Sequence, residues 1–178
     1  MRQISSREVY RNRWMSLRED RISHPDGSPG LYSVVDKPTA ACVVPYEDGG
    51  FHLVEQYRYP LRRRSWEFVQ GTWPGDGPPG EELARAELAE ETGLRAASLT
   101  RLGRVAVAPG LTSQECDVFL ATGLTRGPVD REHTEQEMEQ RWVSRAEFEK
   151  LVRDGVVFDN TTLAAFTLFL LRSLAETS

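Results

Sequence analysis

Residues 81–94 read EELARAELAEETGL and place Glu87, Glu90 and Glu91 within one helical turn that stops at Thr92-Gly93. Positions three and four apart share a helix face, so Glu90 and Glu91 both lie beside Glu87, and each like-charged pair costs about 0.2–0.5 kcal/mol. A bound cation reverses that sign. Mg²⁺ or Mn²⁺ takes hard oxygen ligands, typically one or two carboxylates together with substrate phosphates, so the spacing points to a metal-phosphate site. A solvated acidic helix face is the competing account, because Glu is a good helix former and most charge runs are simply wet.

Outward from this helix the chain reads as alternating apolar runs and turns. Residues 15–23 and 31–35 flank Pro25-Asp26-Gly27 and predict an N-terminal hairpin. Residues 40–44 and 51–57 bracket Glu47-Asp48-Gly49-Gly50 and predict a second hairpin of central strands. Residues 66–71 predict a strand leading to the Pro/Gly-rich loop before the acidic helix. After Gly93, strands are expected at 102–107, 116–121 and 140–143. Ser144 with Glu147 forms a capping box for a helix reaching about Asp154 and ended by Gly155. A last helix follows Asp159 or Asn160 as N-cap. No repeat or long linker divides the chain, which gives one globular unit with 1–37 as a strand or hairpin extension and 38–178 as the main domain.

The acidic segment resembles the Nudix box, G-x5-E-x7-R-E-U-x-E-E-x-G-U with U a bulky aliphatic residue. Glu87-Leu88-Ala89-Glu90-Glu91-Thr92-Gly93-Leu94 matches its right half without a gap, and Gly71 stands where the entry glycine belongs. The left half departs from the pattern. Ala86 holds the arginine position, Pro78 holds the upstream glutamate position, and the 71–93 span is one residue too long. In the family that arginine mainly orients one of the glutamates; Arg85 or an arginine from elsewhere is the candidate replacement, and Glu81 or Glu82 could cover the upstream glutamate.

Further segments resemble the ADP-ribose pyrophosphatase subfamily across nearly the whole chain. They are Val54-Glu55-Gln56-Tyr57-Arg58-Tyr59-Pro60 before Trp66-Glu67-Phe68, Ala108-Pro109-Gly110-Leu111-Thr112 with Pro109 at the marker position, and Asp159-Asn160-Thr161-Thr162-Leu163. The resemblance implies an α/β (α+β) Nudix fold, a mixed β-sheet sandwiched between helices, with an N-terminal β-hairpin extension. It implies Mg²⁺ (or Mn²⁺) held by Glu87, Glu90, Glu91 and the backbone carbonyl of Gln70, and a catalytic set of Glu90, Glu91 and the general base Glu135 from the acidic loop 131–137. Glu135 is preferred to Glu137, an exposed loop carboxylate being the plain alternative for either. Arg58, Glu67 and Pro109 are the substrate-binding residues so implied, a guanidinium at 58 being suited to bidentate phosphate contact. Arg62-Arg63-Arg64 read as capping a strand turn at the surface. Tyr10, Trp14 and Tyr32 read first as packing, with base stacking from an N-terminal arm as the alternative, and a homodimer is expected.

The 178 residues carry 22 Lys and Arg against 27 Asp and Glu, a net charge of −5, which argues against general nucleic-acid affinity because such binding rests on phosphate neutralisation. The partner expected is therefore a small nucleoside diphosphate. Cys42 and Cys116 sit in apolar runs without CxxC or histidine spacing and read as buried hydrophobes. The N-terminus lacks the apolar core of a signal peptide, and the apolar run at 163–171 is far short of the roughly 20 residues that span a bilayer, so a cytoplasmic chain with no membrane contact is expected. The activity implied is hydrolysis of the diphosphate of ADP-ribose or a related nucleoside diphosphate sugar. Two alternatives stay open, a nucleotide sensor on the same fold and a house-cleaning nucleoside triphosphate hydrolase.

Overall fold

The computed structural model describes residues 1–75, 77, 80–131 and 137–176, the side chain of 176 excepted. Alternation along two central strands fixes the layers. In β4 (Ala40–Glu47), Ala41 and Val43 face one core while Cys42 and Val44 face another; in β9 (Glu115–Arg126), Phe119 and Ala121 face the first core while Cys116 and Val118 face the second. Successive strand residues point to opposite faces, so a strand apolar at every position must be covered on both sides. Leu83, Ala84 and Leu88 of α1 (Gly80–Thr92) cover the first face. Phe148 of α2 (Arg145–Arg153), with Ala165 and Phe169 of α3 (Asn160–Glu176), covers the second. The expected sheet between helices is therefore present.

This sheet has seven strands. Its main path is β10 (Glu139–Ser144), β5 (Gly50–Arg58), β4, β9 and β8 (Leu94–Ala106), with β6 (Arg63–Glu67) added to β5 and β7 (Val69–Gly71) added to β4. β4 and β9 run parallel, from Ala40 opposite Cys116 to Pro45 opposite Ala121; the other pairings are antiparallel. On the α2/α3 side Phe51 touches the rings of Tyr46, Phe68, Phe148, Phe166 and Phe169 at centroid separations of 5.2–5.8 Å. Each such pair adds about 0.5–1.5 kcal/mol beyond area burial.

Three expectations need correction. The single strand expected at 66–71 is broken at Phe68, whose amide donates to Thr162 Oγ1 on α3 (3.1 Å), so that the chain leaves β5 as β6 and joins β4 as β7. β8 and β9 extend well beyond 102–107 and 116–121, because their outer halves pair with each other from Leu94–Arg126 inward. The expected N-terminal hairpin is present as β2 (Ser16–Ser23) and β3 (Pro29–Asp36), but an unforeseen strand β1 (Arg2–Arg11) pairs with β2 and makes it a three-stranded antiparallel sheet. β1 is exposed along its whole length, which removes the alternation that would have announced it.

Several local signals behave as read. Ser144 Oγ accepts from the Glu147 amide (3.2 Å), although the Glu147 carboxylate turns to Arg141 (3.4 Å) and does not close the box. Asp159 Oδ2 accepts from the Thr162 amide (2.7 Å) and caps α3. Cys42 and Cys116 are buried free thiols, and burial pushes the Cys116 pKa up to about 12. Among the described residues no helix is long and apolar enough to cross a membrane.

Candidate active site

The acidic helix is held at both ends. At its start Gly80 lies against Asp117, where a Cβ would stand 2.9 Å from Oδ2, so a carboxylate faces the positive end of the helix. Arg104 and Arg101 bond to Asp117 at 2.6–3.0 Å and hold its carboxyl below the usual carboxylate range. At its end Gly93 adopts φ +70° and donates to the Ala89 carbonyl (2.8 Å), the left-handed stop that glycine makes without a Cβ penalty. Glu87, Glu90 and Glu91 thus occupy the carboxyl-terminal part of α1, with Glu91 only 1% exposed.

Glu87 packs its carboxylate directly on the backbone of Gly71 at the end of β7, where any Cβ would overlap it. Hydrogen at this position is what allows a carboxylate to lie against the chain beside Gln70. Gly71 also lines a cleft of about 220 Å³, together with Lys37, Arg58, Gln70, Gln114 and Asp159. Burial first, and the neighbouring Arg58 cation second, lower the Lys37 pKa. Two cations therefore share this cleft, next to the acidic turn.

Behind the cleft runs a buried polar network. Glu67 is 1% exposed and accepts from Arg58 Nε at 3.0 and 3.1 Å and from Arg58 Nη2; Gln70 Nε2 donates to Glu67 Oε2 (2.8 Å) and to Asp159 Oδ2 (3.0 Å). A bidentate guanidinium–carboxylate pair fixes orientation as well as charge. Arg58 also feels the charges of Asp159 and Glu91, which puts the acidic turn and this network in one electrostatic neighbourhood. Gln114 Nε2 donates to the Pro38 carbonyl (3.1 Å) and Thr72 Oγ1 (3.3 Å), tying the cleft's far wall to the loop after β7.

The sequence-derived residues divide accordingly. Arg58, Glu67, Gln70 and Glu87 converge around Gly71, and the charge of Glu91 reaches Arg58. Pro109 is exposed on a turn whose flanks, Val107 and Gln114, line the cleft while Pro109 itself does not. That turn is fastened to β3, with the Val35 amide on the Leu111 carbonyl (2.9 Å) and Tyr32 Oη on the Gly110 carbonyl (3.1 Å). Arg85 does not replace the box arginine, since it binds Glu81 (3.0 and 3.3 Å) and the Ala96 carbonyl (3.0 Å). Glu81 is engaged by that pair on the exposed side of the helix. Glu135 and Pro78 lie outside the described residues. Lys37, Gln114 and Asp159 were not foreseen as cleft residues; only Asp159 carried a signal, as the cap of α3.

Among the described residues no group of three or more His, Cys, Asp or Glu side chains is placed to hold a metal ion. Mg²⁺ does not require such a group, since it is usually bound by one or two carboxylates, keeps several waters and completes its shell with phosphate oxygens. The glycine seat under Glu87 adds to the fit, because it sets a hard oxygen donor against the backbone that Gln70 and Gly71 present to the cleft. Gly71→Ala is expected to displace that carboxylate and lower the site's turnover by about 10²-fold, the order of loss that a misplacement of about 1 Å produces. The fold should hold, because the far end of a flexible side chain is what must move. Melting curves and turnover measured side by side check this, and turnover equal to the parent's would show that Glu87 does not need its seat.

The comparisons with known proteins bear on the same residues. The NUDIX domain family matches residues 36–166, and the family described as the nucleoside diphosphate sugar hydrolase N-terminal domain matches residues 1–35. The chain is similar to the ADP-ribose pyrophosphatase of Mycobacterium tuberculosis (strain ATCC 25618 / H37Rv), 32% identical over 90% of this chain and 79% of that protein. It is also similar to the ADP-ribose pyrophosphatase of Bacillus subtilis (strain 168), 30% identical over 97% of this chain and 94% of that protein. A solved structure described as an ADP compounds hydrolase shares the fold at TM-score 0.83 and 22% identity, covering 98% of this chain and 94% of its own. A family match over most of the chain, on the residues that build the central sheet, the acidic helix and the cleft between them, makes this protein a member of the Nudix family of hydrolases acting on diphosphate bonds.

Proposed function

We propose that the protein hydrolyses the diphosphate bond of ADP-ribose or a related nucleoside diphosphate sugar with Mg²⁺ or Mn²⁺, releasing a nucleoside monophosphate and a sugar phosphate. The observation that carries this is the meeting, at Gly71, of a carboxylate turn with a cleft that holds Lys37 and Arg58. Carboxylates alone would repel a diphosphate, and cations alone would bind it without activating water. Glu87, Glu90, Glu91 and the Gln70 carbonyl would hold the metal, which when bound screens the phosphates and acidifies a water. Arg58, locked by Glu67, and Lys37 grip the phosphate oxygens. Glu67 is a positioning group for Arg58 because its own oxygens face Arg58 and Gln70. A water oxygen bonds to one phosphorus, the bridging P–O bond breaks toward the other phosphate, and the water's proton passes to the base, for which Glu135 is the chain's candidate. The 1–37 extension is proposed to pair with a second copy, since its sheet exposes Ile4, Val9, Tyr10, Leu31 and Tyr32.

The direct test incubates the protein with ADP-ribose, other sugar nucleotides and a nucleoside triphosphate, with Mg²⁺, Mn²⁺ or chelator. The expected outcome is metal-dependent release of nucleoside monophosphate from a diphosphate sugar, and light scattering on the same sample should read a dimer. Preference for the triphosphate would reassign the substrate; no turnover with tight metal-free nucleotide binding would make the protein a sensor.

A further inference from the structure

The helix that carries Glu87, Glu90 and Glu91 poses an electrostatic problem that this chain solves in its own way. Carboxylates near a helix C-terminus face the negative end of the backbone dipole, and the last carbonyls there have no partner within the helix. The family's box arginine would supply a cation on the helix itself, but Ala86 holds that position and Arg85 is engaged with Glu81 and the Ala96 carbonyl. The compensation comes from residues 127–131, a strap laid across the end of α1. Gly127 N donates to the Gly93 carbonyl (2.7 Å), Asp130 N to the Glu90 carbonyl (3.2 Å), and Arg131 Nε to the Glu91 carbonyl (2.9 Å). The strap lies so close that a Cβ on Gly93 would stand 2.6 Å from the Gly127 carbonyl oxygen and 3.0 Å from Val129 Cγ2.

Arg131 does one thing more. Its Nη1 donates to the Met138 carbonyl, so a single guanidinium bridges the end of the acidic helix and the chain entering β10. A planar fork of five donors can hold two carbonyls in fixed relative positions, which an ammonium on a flexible stem cannot do. We propose that Arg131 is the positioning residue that stands in for the missing box arginine, fixing through the backbone the turn on which Glu90 and Glu91 present their carboxylates. This rests on the metal-helix reading above, and the test separates the two.

Mn²⁺ binding is measured by calorimetry on the whole protein and on Arg131→Ala, Arg131→Lys and, as a surface-arginine control, Arg153→Ala, exposed at the end of α2; turnover and amide exchange of residues 90–94 without metal are measured in parallel. The expected result is Mn²⁺ affinity weakened about tenfold to a hundredfold in Arg131→Ala, the range typical of losing a group that orients a metal ligand. Turnover should fall with it at unchanged KM, exchange at 90–94 should quicken, and Arg153→Ala should behave as the parent. Arg131→Lys, which keeps the charge and should fold even if the alanine variant does not, is expected to remain weakened. Parent-like Mn²⁺ affinity in Arg131→Lys overturns the bridging role, and parent-like affinity in Arg131→Ala overturns any role of Arg131, while both leave the metal-helix reading standing. A parent protein that binds no Mn²⁺ overturns that reading and the role of Arg131 with it.

Discussion

Glu90→Gln combined with Glu91→Gln is expected to yield a folded protein with almost no hydrolysis. The substitution preserves shape at Glu91, which is 1% exposed, and deletes two negative charges from the negative end of a helix, so the fold has little to lose. Chemistry has much to lose. A metal that stabilises transition-state charge contributes several kcal/mol, and forfeiting about 4 kcal/mol lowers turnover by about 10³-fold. Circular dichroism and thermal melting should match the parent while the rate with Mg²⁺ collapses. Survival of more than a tenth of the activity would mean that the acidic turn is only a wet helix face.

The largest effect on stability is expected from Arg58→Ala. Glu67 is buried, and its carboxylate depends on two Arg58 nitrogens and one Gln70 amide. Removing one partner of a buried ion pair costs about 3–5 kcal/mol, because the remaining charge is stranded. For a chain of this size each kcal/mol moves the midpoint by about 2–4 °C, which gives a fall of roughly 6–20 °C. Pairing Arg58→Met with Glu67→Leu removes both charges and should recover much of that loss without recovering activity, since apolar replacements of a buried pair are often neutral or stabilising. A single variant that melts with the parent would show that water already reaches Glu67 and that the network is not closed.

What could be read from residues alone follows how local each signal is. The acidic turn, the Ser144 and Asp159 caps and the glycine stops are set within four or five positions, and all four are present in the structure. β1 was missed because no face of it is buried, and the outer parts of β8 and β9 because their pairing is mutual and half exposed. The candidate site shows the same division. Glu87, Glu90 and Glu91 are legible as spacing, but Glu67, expected from the resemblance to bind substrate, is recognised as the partner of Arg58 only once Arg58 and Gln70 are seen to enclose it. Lys37 and Gln114 enter the cleft from segments far apart in sequence, and no local pattern marks such a meeting. Arg131 was legible only as one charge in an acidic loop; its role depends on where the end of α1 lies.

The parallel pairing of β4 with β9 also bears on the order in which the molecule assembles. Ala40 cannot meet Cys116 until the chain has closed a loop containing β5, β6, β7, α1 and β8. Closing such a loop costs chain entropy before the ladder returns any stabilisation, which makes long-range strand pairing slow. Gly71 reaches its place through β7, which leans on β4, and Cys116 reaches the cleft through β9. The cleft therefore cannot be complete before β4 meets β9, and a chain interrupted before β9 has the acidic helix but lacks the cleft walls that Cys116 and Asp159 supply.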